Sequence, residues 1–224
     1  KLKTISTLCF AASTMLVASS AMAWESEDGA WSTSANVALS TEYVWRGVTQ
    51  TDSEPAISGG LDVSHSSGFY LGTWASNVDY GDDATIEIDY YAGFGGDFGD
   101  SGVSYDVGGL YYDFPDEDYD AFEVYGFVSY SFLSAGVSYS VDLFDADDQD
   151  DNVYYQLDAS HDIGSVSLAA GVAYWDLDGT GEDPTNWYIG ASTELAGFGF
   201  DLTYHDTDVD DSDESVVFTI SKSM

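Results

Sequence analysis

From Ser34 onward the chain alternates apolar and polar residues with a period of two. In the first run Ala35, Val37, Leu39, Thr41, Tyr43 and Trp45 alternate with Ser34, Asn36, Ala38, Ser40, Glu42 and Arg46. Ile86, Ile88, Tyr90, Ala92 and Phe94 alternate in the same way with Glu87, Asp89, Tyr91 and Gly93. Successive side chains of a strand point to opposite faces, so this period predicts strands with one apolar face each. No stretch carries the 3.6-residue stripe of an amphipathic helix. Twelve segments follow the pattern: 34–46, 56–65, 68–78, 84–95, 102–112, 121–132, 134–143, 152–161, 165–175, 186–195, 198–205 and 215–224. Each is close to the ~9–11 residues that a tilted strand needs to cross a bilayer.

The connections alternate too. Those at 47–55, 79–83, 113–120, 144–151, 176–185 and 206–214 are long and acidic. Those between them are mostly short, such as Asp162-Ile163-Gly164 and Ala196-Gly197. Outer-membrane barrels have short turns on one side and longer loops on the other. Aromatics of the apolar face also gather at strand ends. Tyr43, Trp45, Tyr111, Phe122, Tyr174, Trp187 and Tyr204 fall toward the long loops, and Phe69, Phe94, Phe132 and Phe198 toward the turns. Two interfacial girdles have this distribution. A soluble two-layer sandwich would also alternate, but it explains neither the girdles nor the long/short rhythm. The expected fold is all-β, an antiparallel up-and-down transmembrane β-barrel of about 12 strands.

The beginning of the chain reads as an export signal. Lys1 and Lys3 precede a mostly apolar run from Ile5 to Val17, and Ala21-Met22-Ala23 supplies a small-x-small cleavage pattern. The expected organisation is a cleaved signal peptide at 1–23 and a single barrel domain at 24–224. Cys9 lies within the signal, so the mature chain would have no cysteine and no disulfide. The expected location is the bacterial outer membrane, with lipid as a partner and barrel-insertion machinery engaged during biogenesis.

Charge narrows the functional classes. The chain carries 41 acids and a formal net charge of −37, and once the signal is removed Arg46 and Lys222 remain as the fixed cations. Nucleic acid is excluded as a partner, because nothing could neutralise its phosphates. Such acidity also suits a salt-adapted surface, where brine screens self-repulsion. Ten acids fall within strands, all on the polar parity: Glu42, Asp62, Glu87, Asp89, Asp106, Glu123, Asp142, Asp158, Glu194 and Asp201. A barrel with water inside would place these acids, and Arg46, along its lumen. An acid-lined pore attracts cations. A side-chain-filled barrel with hydrogen-bonded acids is the alternative, since twelve strands lie between the filled and the open cases.

Thr41 to Thr51 (TEYVWRGVTQT) resembles the opening signature of the TorF family of proteobacterial outer-membrane proteins, and Pro55 to Asp62 (PAISGGLD) continues it. So do Gly68 to Val78 (GFYLGTWASNV) and Glu87 to Gly93 (EIDYYAG). The resemblance covers residues 35–95, and it implies an outer-membrane barrel assigned to passage of solutes, without a substrate.

Catalytic chemistry finds no support. His65, His161 and His205 fall in separate segments, and no serine has the company that a nucleophile needs. The run Asp176-Leu177-Asp178-Gly179-Thr180-Gly181-Glu182-Asp183 alternates carboxylates with glycines, as calcium loops do, and Asp145 and Asp147 open a second dense cluster. Both lack the full calcium-loop spacing. They are expected to hold divalent cations loosely, with no other cofactor. The expected function is a porin-like channel for passive diffusion of small solutes, cation-favouring. The alternative is a structural or surface ion- or partner-binding barrel with a closed lumen.

Overall fold

The computed structural model describes residues 24–115, 117, 120–141, 152–177, 183–209 and 212–224. The expected signal at 1–23 lies outside the described residues, as do Asp142, Asp145, Asp147, Asp178 and Glu182. Fifteen strands follow in order: β1 (Trp24–Glu25), β2 (Trp31–Ser40), β3 (Val44–Trp45), β4 (Val48–Thr49), β5 (Ala56–His65), β6 (Phe69–Asn77), β7 (Ile86–Asp97) and β8 (Val103–Asp113). Then come β9 (Ala121–Tyr130), β10 (Leu133–Val141), β11 (Asn152–Ile163), β12 (Val166–Leu177), β13 (Thr185–Leu195), β14 (Phe198–Thr207) and β15 (Ser215–Ser223).

Strands β5 to β15 each pair antiparallel with their sequence neighbour, and β2 pairs with both β5 and β15. The sheet therefore closes into a twelve-strand barrel of β2 and β5–β15. At the seam Ser40 faces Thr219 and Asn36 faces Ser223. The short β1 continues the same edge of β2, with Trp24 opposite Thr33. Closure matters physically, because an open edge in hydrocarbon would leave backbone N–H and C=O groups without water or partner.

The period-two pattern sorts the two faces. Ile57 and Leu61 of β5 are 58% and 61% exposed, whereas Ala56 is buried and Asp62 half-buried. Every wall strand exposes large apolar side chains, as a lipid-facing surface requires. Trp187 and Tyr204 pack at a tilt outside at the loop side with ring centroids 5.2 Å apart, and Phe69 and Phe94 do so at the turn side at 5.4 Å. Lys222 lies on the outward parity of β15 at the turn side, where its Nζ donates to the Gly197 carbonyl. That placement lets the ammonium reach the interface while its stem lies along apolar surface.

One expected strand is corrected. The first wall strand spans Trp31–Ser40 rather than 34–46. After Thr41 the chain turns into the barrel, so Tyr43 and Trp45 are buried at 3% and 8% exposure instead of joining the outer girdle. A closed barrel of this kind resists SDS at room temperature and migrates differently after boiling. Identical gel mobility before and after heating, with protein in the soluble fraction, would overturn membrane insertion.

Candidate functional site

The inward segment is a small hairpin. In it Val44 pairs with Thr49 and Trp45 with Val48, which leaves Arg46 and Gly47 as the two turn residues. Both have positive φ, 49° and 86°, as the favoured two-residue hairpin turns require. Glycine adopts this conformation freely, whereas arginine does so at a cost of order 1–3 kcal/mol. Gly47 meets a second demand: a Cβ there would stand 2.8 Å from Thr207 Cβ and 2.9 Å from Asn186 Cβ. The hairpin tip thus touches β13 and β14 at their loop-side ends.

Hydrogen bonds fix the hairpin's base. Gln50 N–H donates to the Tyr43 carbonyl at 2.7 Å, and Tyr43 N–H to Thr51 Oγ1 at 3.2 Å. Asp79 N–H donates to the Gln50 carbonyl at 2.9 Å, and Tyr80 Oη to Gln50 Oε1 at 2.7 Å. On the β6–β7 wall, Tyr43 packs edge-on against Trp74 at 5.2 Å and donates its hydroxyl to Glu87 Oε1 at 3.1 Å.

Arg46 enters a cage built by four wall strands. Its Nη2 donates to Glu123 Oε2 of β9 in a buried ion pair, and Ser140 of β10 donates to the same oxygen at 2.7 Å. The guanidinium carbon lies 4.1 Å from the ring centre of Tyr154 and 5.2 Å from that of Trp175, on β11 and β12. Trp45 of the hairpin covers it at 4.3 Å. Each such contact contributes roughly 0.5–2 kcal/mol when water is excluded. Trp175 is held in turn, because its Nε1 donates to Asn152 Oδ1 at 2.9 Å. Together with Ala56, Val78, Ala84, Leu110, Tyr112, Ala121 and Ala173 these side chains form one buried cluster filling the loop-side interior.

The middle and turn-side interior is arranged differently. Tyr91 donates to Asp62 at 2.5 Å, Tyr70 to Asp106 at 2.5 Å, and Tyr188 to Asp158 at 2.9 Å. Asp158 also accepts from Gln156 at 2.7 Å. The tyrosines lie across glycines on the neighbouring strand: Tyr91 faces Gly72 and Tyr188 faces Gly171 in register. A Cβ at either glycine would meet the ring at under 3 Å. The rings therefore lie flat on the wall, and Asp62, Asp106 and Asp158 stay half-exposed.

The sequence-derived residues thus fall into several places. Glu42 and Arg46 sit on the inward hairpin segment rather than on the barrel wall, which corrects the first strand's expected extent. Glu87, Asp89 and Glu123 are buried beneath the hairpin, and Asp201 is buried on β14. Asp62, Asp106 and Asp158 belong to the tyrosine belt, and Glu194 is exposed at the turn end of β13. Asp176 is exposed near the loop end of β12. Among the described residues no three His, Cys, Asp or Glu side chains converge where they could hold a metal. His65 stacks on Trp31 at 4.5 Å, His161 is exposed, and His205 is buried beside Tyr188. Sequence reasoning missed the inward apolar groups Trp74, Leu110, Phe127 and Val217, which break the polar parity of their strands.

A family model described as a bacterial protein of unknown function (Gcw_chp) matches residues 25–223. The chain belongs to that family. No curated protein matches it by sequence. Among solved structures, the KdgM porin superposes with a TM-score of 0.56 at 10% identity, covering 85% of this chain and 97% of that one. The NanC porin gives 0.56 at 12% identity, with 84% and 97% covered. KdgM in complex with disordered oligogalacturonate gives 0.55 at 10% identity, over 85% and 97%. At these identities the likeness shows the fold, so this Gcw_chp chain shares the porin barrel.

Two substitutions test the hairpin's anchoring. Glu123→Gln leaves the Arg46 charge buried without its counter-ion, and should lower barrel stability in denaturant titration by about 3–5 kcal/mol. Arg46→Lys keeps the charge but loses the planar fork and should cost less. Gly47→Ala should undock the hairpin tip while leaving the wall strands paired. Single-channel conductance would then rise with SDS resistance retained, and unchanged conductance would show that the tip does not restrict the lumen.

Proposed function

We propose that the protein is an outer-membrane channel for passive diffusion of small solutes, constricted by the 41–55 segment and favouring cations. One observation carries this reading: a closed twelve-strand barrel with an apolar outer belt carries Tyr, Ser, Gly and Asp along the middle and turn-side part of its inner wall. A lumen filled only for stability would call for branched apolar side chains on that face. The resemblance of residues 35–95 to the TorF family supports the same assignment.

Cation preference rests on the interior charges. Asp62, Glu87, Asp89, Asp106, Glu123, Asp158 and Asp201 face inward with Arg46 as the opposing guanidinium. Glu42 Oε1, Asp89 Oδ1 and Asp201 Oδ2 are buried and accept no hydrogen bond among the described residues. Oxygens of this kind favour a passing cation and repel an anion. Oligogalacturonate, named with one KdgM structure, is a polyanion, which so acidic an interior would repel.

A second reading has its own observation. The cluster around Arg46 fills the loop-side interior, which suits a closed barrel whose acidic loops, Asp145, Asp147, Asp176, Asp178 and Glu182 among them, hold divalent cations at the surface. Planar-bilayer recordings of purified protein separate the two. Discrete conductance, with a reversal potential in a KCl gradient favouring K⁺, is the expected result. The preference should shrink as salt rises, because the screening length falls to about 3 Å at 1 M. Arg46→Ala should increase it. Absence of conductance would favour the closed barrel, and anion preference would overturn the charge assignment.

A further inference from the structure

The Arg46 cage has the composition of a receptor for an organic cation. Tyr154 and Trp175 offer π-faces, and Glu123 offers a carboxylate whose geometry Ser140 fixes. Aromatic faces carry no lone pairs suited to a hard metal ion. They favour weakly hydrated, delocalised cations instead, and a carboxylate matches the planar donor fork of a guanidinium. In the present arrangement that cation belongs to the protein itself. It is delivered by a turn residue with φ of 49°, on a hairpin whose own ladder is two residue pairs long. Leaving the cage would relieve the backbone strain at Arg46 and break little secondary structure. The wall half of the cage would stay in place, because Glu123, Ser140, Tyr154 and Trp175 all stand on paired barrel strands.

We propose that Glu123, Tyr154 and Trp175 form a binding site for guanidinium- or ammonium-bearing solutes, with Arg46 as a tethered occupant that such a solute displaces. The proposal rests on the channel reading for its biological sense, since solute must reach the lumen. It makes the hairpin a latch: a solute that takes the cage releases the tip from Asn186 and Thr207. A tethered group competes at an effective concentration in the millimolar range. Free ligand should therefore bind the unmodified protein more weakly than a variant lacking the Arg46 side chain.

The test uses full-length barrel in detergent, checked for SDS resistance, and guanidinium chloride at low millimolar concentration against sodium chloride of matched ionic strength. Tryptophan emission reports the site, because Trp175 lines it. Arg46→Ala should show a saturable guanidinium-dependent change, and the double variant with Glu123→Gln should lose it. The unmodified protein should respond at concentrations at least tenfold higher. In planar bilayers guanidinium should block current through Arg46→Ala at lower concentration than through the unmodified channel. If Arg46→Ala does not refold, Arg46→Gln takes its place.

No saturable response in a folded Arg46 variant would overturn the site, as would a response indifferent to Glu123→Gln. A response in the variant with none in the unmodified protein would overturn displacement. Saturable binding in all the expected forms, without conductance, would support the site while removing the channel reading.

Discussion

A strand edge inside a bilayer leaves its N–H and C=O groups with neither water nor partner, at several kcal/mol per group. The pairing of β15 with β2 removes that edge, and the rest of the architecture depends on it. The seam is short, running from Ser40 opposite Thr219 to Asn36 opposite Ser223. Both of its ends are extended. Ala35 and Met224 exchange backbone hydrogen bonds of 3.0 and 2.8 Å, and Thr41 N–H donates to the Phe218 carbonyl at 3.0 Å. Beyond Met224, β1 takes over the same edge of β2. The strands β1 and β15 thus complete one ladder along β2.

The seam also decides where the interior fills. Its pairing with β15 ends at Thr41, while β5 begins at Ala56, so the intervening residues start at the barrel rim without a strand to join. Folding outward would expose Tyr43, Val44 and Trp45 to water. Folding inward buries them against Trp74, Tyr112, Tyr154 and Trp175 and brings Arg46 to Glu123. Burial of the aromatic surface drives this, at about 25 cal/mol per Å² of apolar area. The ion pair then selects the register of the tip. With Arg46 on Glu123, Gly47 lies against Asn186 and Thr207, and the missing Cβ allows that approach.

Most of the barrel was legible in the sequence because the constraint that shapes it is simple. A wall between lipid and water has period two, and every wall strand shows it. The hairpin was not legible for the same reason. Its residues alternate too, so Tyr43 and Trp45 continue the parity of Val37 and Leu39 although the chain has left the wall. Two local signals mark the departure. A first segment at 34–46 exceeds the usual spanning length, and Arg46-Gly47 has the composition of a tight turn with a glycine at its second position. The inward placement of Arg46 and its need for a carboxylate could be read from its charge. Its choice of Glu123 depended on which strands stand opposite the hairpin, a property of closure that no local pattern contains. Trp74 and Leu110 sit on the inner parity because the hairpin and its neighbours give them apolar company.

The two halves of the interior differ in which donors meet their hydrogen-bonded carboxylates. In the middle and turn-side half the donors are tyrosine hydroxyls, and glycines on the adjacent strands let their rings lie flat, so satisfying the acids does not close the lumen. In the loop-side half the donors are Arg46, Ser140 and Tyr43, and two of these three come from the hairpin. Removing the hairpin would therefore open the space and take Arg46 from Glu123 and Tyr43 from Glu87 at once. Constriction and charge compensation are carried by the same few residues, so a change in one necessarily changes the other. The turn-side acids, whose partners are fixed on the wall, contribute a steady field under either arrangement. Under the proposed channel reading, discrimination between solutes would be concentrated at the level of Arg46.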